Sequence, residues 1–145
     1  RASYGVKGIA LRSGDEVVSL ESIPNDGKTT ILTITEKGYG KRSDIDGYRK
    51  TSRGAKGVIN LNVSEKTGRV VSSISVSDKD SAIITTNKGM VIRVKMKELR
   101  VMGRATQGVH VVRLKDADKV ADIVKVPSAG ELEALSPIEN AQAKL

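Results

Sequence analysis

EKGYGKRSDIDGYRKTSRGAKG, residues 36–57, overlays NKGMVIRVKMKELRVMGRATQG, residues 87–108, without a gap at an offset of 51. Lys37, Gly38, Arg42, Arg49, Arg53 and Gly57 meet Lys88, Gly89, Arg93, Arg100, Arg104 and Gly108. RASYG at 1–5 matches RATQG at 104–108, and Leu11 matches Leu114. Six coincidences in one register establish an internal repeat, and a repeat of this length is the first thing a fold assignment must respect. The frame is two full units, 1–52 and 53–103, and a partial unit from 104 to about 127.

Each unit reads as four short strands. In the second unit Ile59, Leu61 and Val63 alternate with Asn60 and Asn62, the pattern of a half-buried strand. Val70 to Val76 returns after a turn at Ser64 to Gly68. Ala82 to Thr86 and Met90 to Met96 then form a hairpin across Asn87-Lys88-Gly89, where glycine supplies positive φ. Met90, Ile92, Val94 and Met96 share one face of that last strand, and Val91, Arg93 and Lys95 share the other. In the first unit Ile31 to Thr35, the turn Glu36-Lys37-Gly38, and Tyr39 to Ser43 repeat the scheme. Asp46 to Thr51 and Lys97 to Met102 connect the units. Four strands in about 50 residues is the size of a propeller blade.

Composition agrees. Val and Ile, at 17 and 12, outnumber 9 Leu, which favours strands. Charged residues of mixed sign make up 29% of the 145, which argues against wholesale disorder. There are no cysteines, so disulfides, thiol catalysis and thiolate metal sites are excluded. No stretch approaches the roughly 18 apolar residues of a membrane helix, and no leader pattern is present, so neither membrane association nor secretion is expected. Opening on Arg1 rather than Met reads as an excised or processed piece. The fold expected is all-β: propeller-like four-stranded blades in an incomplete ring. Residues 1–127 form the blades, and 128–145, Ala-rich with Pro137 and scattered Glu, form a mildly acidic tail that is helical in part or disordered.

Charge points to the partner. The net charge is +8, and the last 18 residues contribute −2, so the body holds +10. A basic body suits a polyanion such as nucleic acid. Catalytic chemistry finds no support. His110, the single imidazole, sits in an alternating strand, and a structural or surface role is expected for it. Asp44/Asp46, Asp78/Asp80 and Asp116/Asp118 read as turn carboxylates that satisfy backbone groups. Gly38-Tyr-Gly40 lacks the helix that a phosphate loop needs.

The repeated basic residues are the candidate site. Seven Lys/Arg stand against two acids between Lys37 and Lys56. Lys37 and Lys88 lie in turns, Arg42 and Arg93 on outward strand faces, and Arg49, Arg100, Arg53 and Arg104 in connecting segments. The candidate set is Lys37, Lys41, Arg42, Arg49, Lys50, Arg53, Gly54, Lys56, Gly57, Lys88, Arg93, Lys95, Arg100 and Arg104. Recurring blades would place these charges as a regularly spaced rim, suited to the phosphates of bent duplex DNA. Gly54 and Gly57 would let backbone N–H groups approach a phosphate. With three Tyr and no Phe or Trp, stacking on single strands is poorly supported.

ITEKGYGKRS (34–43), SRGAKGVINL (52–61) and ELRVMGRATQGV (98–109) resemble the C-terminal, DNA-wrapping domain family of DNA gyrase A. The resemblance spans roughly 1–127. It implies a β-pinwheel whose blades exchange strands and whose basic perimeter wraps DNA. It also implies a non-catalytic role within an ATP-dependent, negatively supercoiling holoenzyme, with no cofactor in this piece. The implied partners are double-stranded DNA, the remainder of gyrase A, and gyrase B, in the bacterial cytoplasm at the nucleoid. Of the family's box, Q-R-R-G-G-K-G, residues 51–57 keep Arg53, Gly54, Lys56 and Gly57, and 102–108 keep Arg104 and Gly108. These look like the degenerate boxes of later blades. The family's catalytic tyrosine lies elsewhere, so Tyr4, Tyr39 and Tyr48 are not given that role. Alternatives are the equivalent domain of topoisomerase IV and a protein-binding propeller. At about 51 residues per unit the chain holds roughly 2.5 blades, whereas closed propellers use about 4 to 8. Terminal strand edges are therefore expected to be open, with edge-mediated self-association as one consequence.

Overall fold

The repeat's hairpins form as their alternation requires. A computed structural model describes residues 3–128. In it β1 (Thr30–Thr35) and β2 (Tyr39–Asp44) pair antiparallel from Thr30↔Asp44 to Ile34↔Gly40. Fifty-one residues on, β4 (Ser81–Thr86) and β5 (Val91–Lys95) pair from Ser81↔Lys95 to Thr85↔Val91. Both turns use a glycine at positive φ, Gly38 at 80° and Gly89 at 83°. After each hairpin comes a short 3₁₀ turn, Ile45–Gly47 or Met96–Glu98, which opens the connecting segment.

Neither blade is built from one unit. β3 (Val70–Val76) belongs to the second unit yet pairs with β1 in the first, from Thr30↔Val76 onward. β7 (Val120–Val126) of the third unit pairs with β4 from Ser81↔Val126. Both ladders shift register at one repeat position, Ile34/Thr35 and Thr85/Thr86. β6 (Val109–His110) pairs with β2 through Tyr39↔His110 and Gly40↔Val109. The result is two open antiparallel sheets, β3-β1-β2-β6 and β5-β4-β7, and no closed ring among the described residues. The expected strand exchange between propeller-like blades is therefore what the backbone does.

The expectation of four strands within each unit needs correction. Ile59–Val63 is not a strand: its only ladder contact is an isolated parallel bridge, Leu61↔Thr106. Leu61 is buried while Ile59 and Val63 stay exposed, because the segment crosses from one blade to the next with no continuous strand beside it. Residues 3–29 likewise form no named strand. Their Ser19 hydroxyl and Glu21 carboxylate accept the outward Ser73 and Ser75 N–H groups of β3, covering that edge with side chains. β5 has no strand on its outer edge among the described residues. The tail expectation falls on 129–145, outside the described residues.

One core serves both blades. Leu32, Ile34, Ile74, Val76, Ala82, Ile84, Met96, Val112, Val120 and Ile123 form a single buried cluster drawn from all three units. Burying a side chain such as Leu32 or Ile84 contributes roughly 1.5–3 kcal/mol over leaving it in water. No helix among the described residues is long and apolar enough to cross a membrane.

Candidate nucleic-acid interface

The repeated cations divide into those that tie backbone together and those that face solvent. Lys37 and Lys88 make the same structural contact in successive blades: each ammonium donates to a backbone carbonyl of the following crossover, Glu65 O and Asp116 O. The neighbouring backbone completes the clasp, with Glu36 N–H donating to Arg69 O and Asn87 N–H to Lys119 O, each at 2.9 Å. In the first clasp Lys119 Nζ also binds Glu36 Oε2 at 2.7 Å. That bond, and then the Arg69 N–H, hold the Glu36 carboxyl below its ordinary range. In the second, Asp118 accepts Lys88 N–H and Lys119 N–H, and its carboxyl is held low chiefly by the Thr86 hydroxyl. The turn role expected for this aspartate is what it performs.

Arg42 does not lie on an outward face, contrary to its strand parity. It is 2% exposed. Its Nε and Nη2 donate to Thr30 Oγ1 at 3.1 and 2.9 Å, its Nη1 to Met96 O at 2.7 Å, and Nη2 meets Asp78 Oδ1 at 2.8 Å. The cause is the connecting segment that follows the second hairpin: Val101 bridges Arg42 in parallel and Met102 N–H donates to Arg42 O at 2.8 Å. Lys41 is buried as well, and its Nζ donates to Gly103 O at 2.9 Å. Burial, with the Arg104 charge nearby, lowers its ammonium pKa to about 8. Arg104 itself bonds Gly47 O through Nε at 2.9 Å and Ile59 O through Nη1 at 2.6 Å. Five of the candidate cations thus hold crossovers against hairpins.

The rest are placed differently. Arg49, Lys50, Arg53, Lys56, Arg93, Lys95 and Arg100 are all exposed, and among the described residues their side chains make no hydrogen bond or ion pair. Arg93 keeps the outward orientation expected of it because no described segment crosses β5. Gly54 and Gly57 both take positive φ, as the loop reading requires. Gly54 N–H, however, already donates to Gly8 O at 2.9 Å and is not open to a phosphate. His110 packs on Tyr39 with ring centroids 3.9 Å apart. Among the described residues no group of three or more His, Asp or Glu is arranged to hold a metal ion.

One cleft brings two candidates together with two cations outside the set. Arg93 and Lys95 line it beside Lys79 and Lys97. Coincidence between units could not reveal Lys97, whose counterpart in the first unit is Asp46, whereas Lys79 recurs at Lys28 but lies outside the gapless overlay of 36–57 on 87–108.

The chain matches the family model described as DNA gyrase C-terminal domain, β-propeller, over residues 1–24, 29–77 and 80–127. It is 50% identical over 133 residues to the A subunit of DNA gyrase from Fibrobacter succinogenes, and 40% identical over 133 residues to that of Staphylococcus aureus. Each alignment covers 92% of this chain but only 14% and 15% of those proteins. Among solved structures, a C-terminal domain of DNA topoisomerase IV superposes with a TM-score of 0.77 at 25% identity, covering 89% of this chain and 42% of the other. A DNA gyrase A C-terminal domain superposes with a TM-score of 0.64 at 27% identity, covering 69% and 34%.

Proposed function

The chain belongs to the DNA gyrase C-terminal domain family, and on that premise we propose that it binds the backbone of duplex DNA and helps to wrap it. The domain corresponds to a non-catalytic part of a type II topoisomerase. The observation that carries the reading is the set of seven exposed cations that lack partners among the described residues, spread over both blades and the box-like loop at 53–57. Charges free of internal partners can meet phosphates without first breaking the fold's own bonds. Affinity then comes from counterion release and carries little sequence preference. In this reading the wrap supports ATP-dependent negative supercoiling with the rest of gyrase A and with gyrase B, in the bacterial cytoplasm. Topoisomerase IV is the second reading, favoured by the higher TM-score of its domain. The identities to gyrase A sequences over 133 residues favour gyrase.

The test is a salt titration of duplex binding by fluorescence anisotropy. With six or more phosphate contacts, log K should fall with log salt at a slope of about −5 or steeper, at roughly 0.9 per contact. Duplexes of unrelated sequence should give the same line. A salt-independent affinity or a base-specific footprint would remove the proposal.

A further inference from the structure

The two blades carry one cleft with different electrostatics. In the second blade an open cleft of about 570 Å³ lies between the 78–81 turn, Arg93 and Lys95 of β5, and Lys97. Its counterpart in the first blade, about 600 Å³, contains Asp26, Lys28, Arg42 and Asp44, and shares Asp78 and Lys79 with the second. The 51-residue offset pairs Lys28 with Lys79, Arg42 with Arg93, Asp44 with Lys95 and Asp46 with Lys97. At these four positions two cations and two anions in the first blade become four cations in the second, while Gly27 and Thr29 become Asp78 and Asp80, so the net charge rises from 0 to +2.

What remains of the charge is also handled differently. In the first blade Arg42 is bound to Thr30, Met96 and Asp78, and Val101 lies at the cleft. In the second, all four cationic side chains are exposed and without hydrogen-bond or ion-pair partners among the described residues. Of the two carboxylates at this cleft, Asp78 is paired, and Asp80 is held through Oδ2 while its buried Oδ1 has no hydrogen-bond partner among the described residues. Asp78 pairs with Arg42, and Asp80 Oδ2 accepts Ser77 N–H at 2.7 Å and Ser77 O–H at 3.0 Å, with Lys125 Nζ at 3.7 Å. Four like charges around one opening repel one another, and an oxyanion relieves that repulsion. None of the described residues lining the cleft is aromatic, so they offer nothing for a base to stack on. Such a lining suits a phosphate group, and an open cleft suits a phosphate carried on a continuous strand.

We propose that this cleft is a duplex-phosphate site, so that the second blade grips the DNA backbone with positions the first blade uses to hold itself together. The proposal rests on the DNA-binding reading above. It is tested with Lys95→Asp and Lys97→Asp combined. These are the residues the first blade carries at the same positions, so the backbone accommodates them. Arg113→Asp with Lys115→Asp makes the same change in charge at exposed sites outside the cleft. The cleft pair should lose at least tenfold in duplex affinity at low salt and lower the salt slope by about 1.8, at roughly 0.9 per contact. The control pair should lose less than about threefold, the loss expected from net charge alone. Equal losses for the two pairs would overturn the cleft while leaving DNA binding intact, whereas failure of the unaltered chain to bind duplex would overturn both. Amide NMR with inorganic pyrophosphate supplies the second arm. Pyrophosphate should shift the Arg93 to Lys97 amides, and duplex should reverse those shifts. Shifts that persist under saturating duplex would assign the cleft to a small free phosphate instead.

Discussion

Truncating Arg42 would strip Thr30 Oγ1 of its guanidinium donors and leave Met96 O with the Leu99 N–H alone, in a place that water does not reach. A hydrogen bond to a charged donor is worth about 1.5–3 kcal/mol, and the loss of the packed stem adds to it. Asp78 is 78% exposed, so its ion pair contributes little. Arg42→Ala should therefore lower stability by about 2–4 kcal/mol. Arg93→Ala, at the same repeat position but exposed, should stay within about 0.5 kcal/mol of the parent. Urea midpoints for the two variants measure this directly, and equal midpoints would contradict the assignment of Arg42 to the fold. Arg42→Lys should recover only part of the loss, because an ammonium lacks the fork that reaches Thr30 and Met96 together. It follows that Arg42 is a poor place to probe DNA binding: a weakened gel shift there would report a damaged hairpin.

Elements depend in the same way on what lies across from them. Gly38 and Gly89 close equivalent hairpins at nearly the same φ. A Cβ on Gly38 would meet Val112 O at 2.3 Å, where the third unit docks and both Val111 and Val112 N–H groups donate to Gly38 O. A Cβ on Gly89 would meet nothing within 4 Å. Gly89→Ala should cost only the left-handed backbone penalty of roughly 1–2 kcal/mol. Gly38→Ala adds a backbone clash to that penalty, so it should cost about 3 kcal/mol or more and should speed amide exchange at Val111 and Val112. Comparable losses at the two turns would mean that the docked segment adds nothing. The hairpins themselves were legible because alternation and turn glycine are local signals. β3 was legible as a strand, but the sequence does not say which hairpin receives it. Ile59–Val63 has the alternation of a strand and lacks a partner, which no local pattern can report. Parity misplaced Arg42 because both faces of β2 are covered there, so alternation decides the direction of a side chain and not its exposure. For the candidate site, recurrence between units was read as function. At Lys37 and Lys88 it marks a shared structural task, and the differences at 44/95 and 46/97 mark where the blades diverge.

At the scale of the whole molecule the question is whether two blades without a ring behave as one body. Their sheets are separate in hydrogen bonding, yet β3 of one packs on β7 of the other, and the buried cluster takes residues from both. Arg42 and its Met96 contact add a polar tie across the boundary. With ten core residues shared in this way, neither sheet keeps an apolar interior if the other opens, and folding should be a single cooperative transition. Arg93 and Lys95 also charge the open edge of β5, which opposes its pairing with another chain at low salt. Ile84→Ala tests the coupling. Ile84 is fully buried in β4, and its truncation should cost about 2–5 kcal/mol. If the blades are coupled, hydrogen exchange under native conditions should lose that same free energy at the β1–β2 amides as at β4, although β1 and β2 belong to the other sheet. Undiminished protection at Leu32 and Ile34 alongside weakened protection at Ile83 and Val94 would show two independent units. Residues 3–29, with Val17, Val18 and Leu20 exposed and no strand of their own, should exchange fast in both proteins. That contrast sets the baseline against which a shared loss in the blades is read.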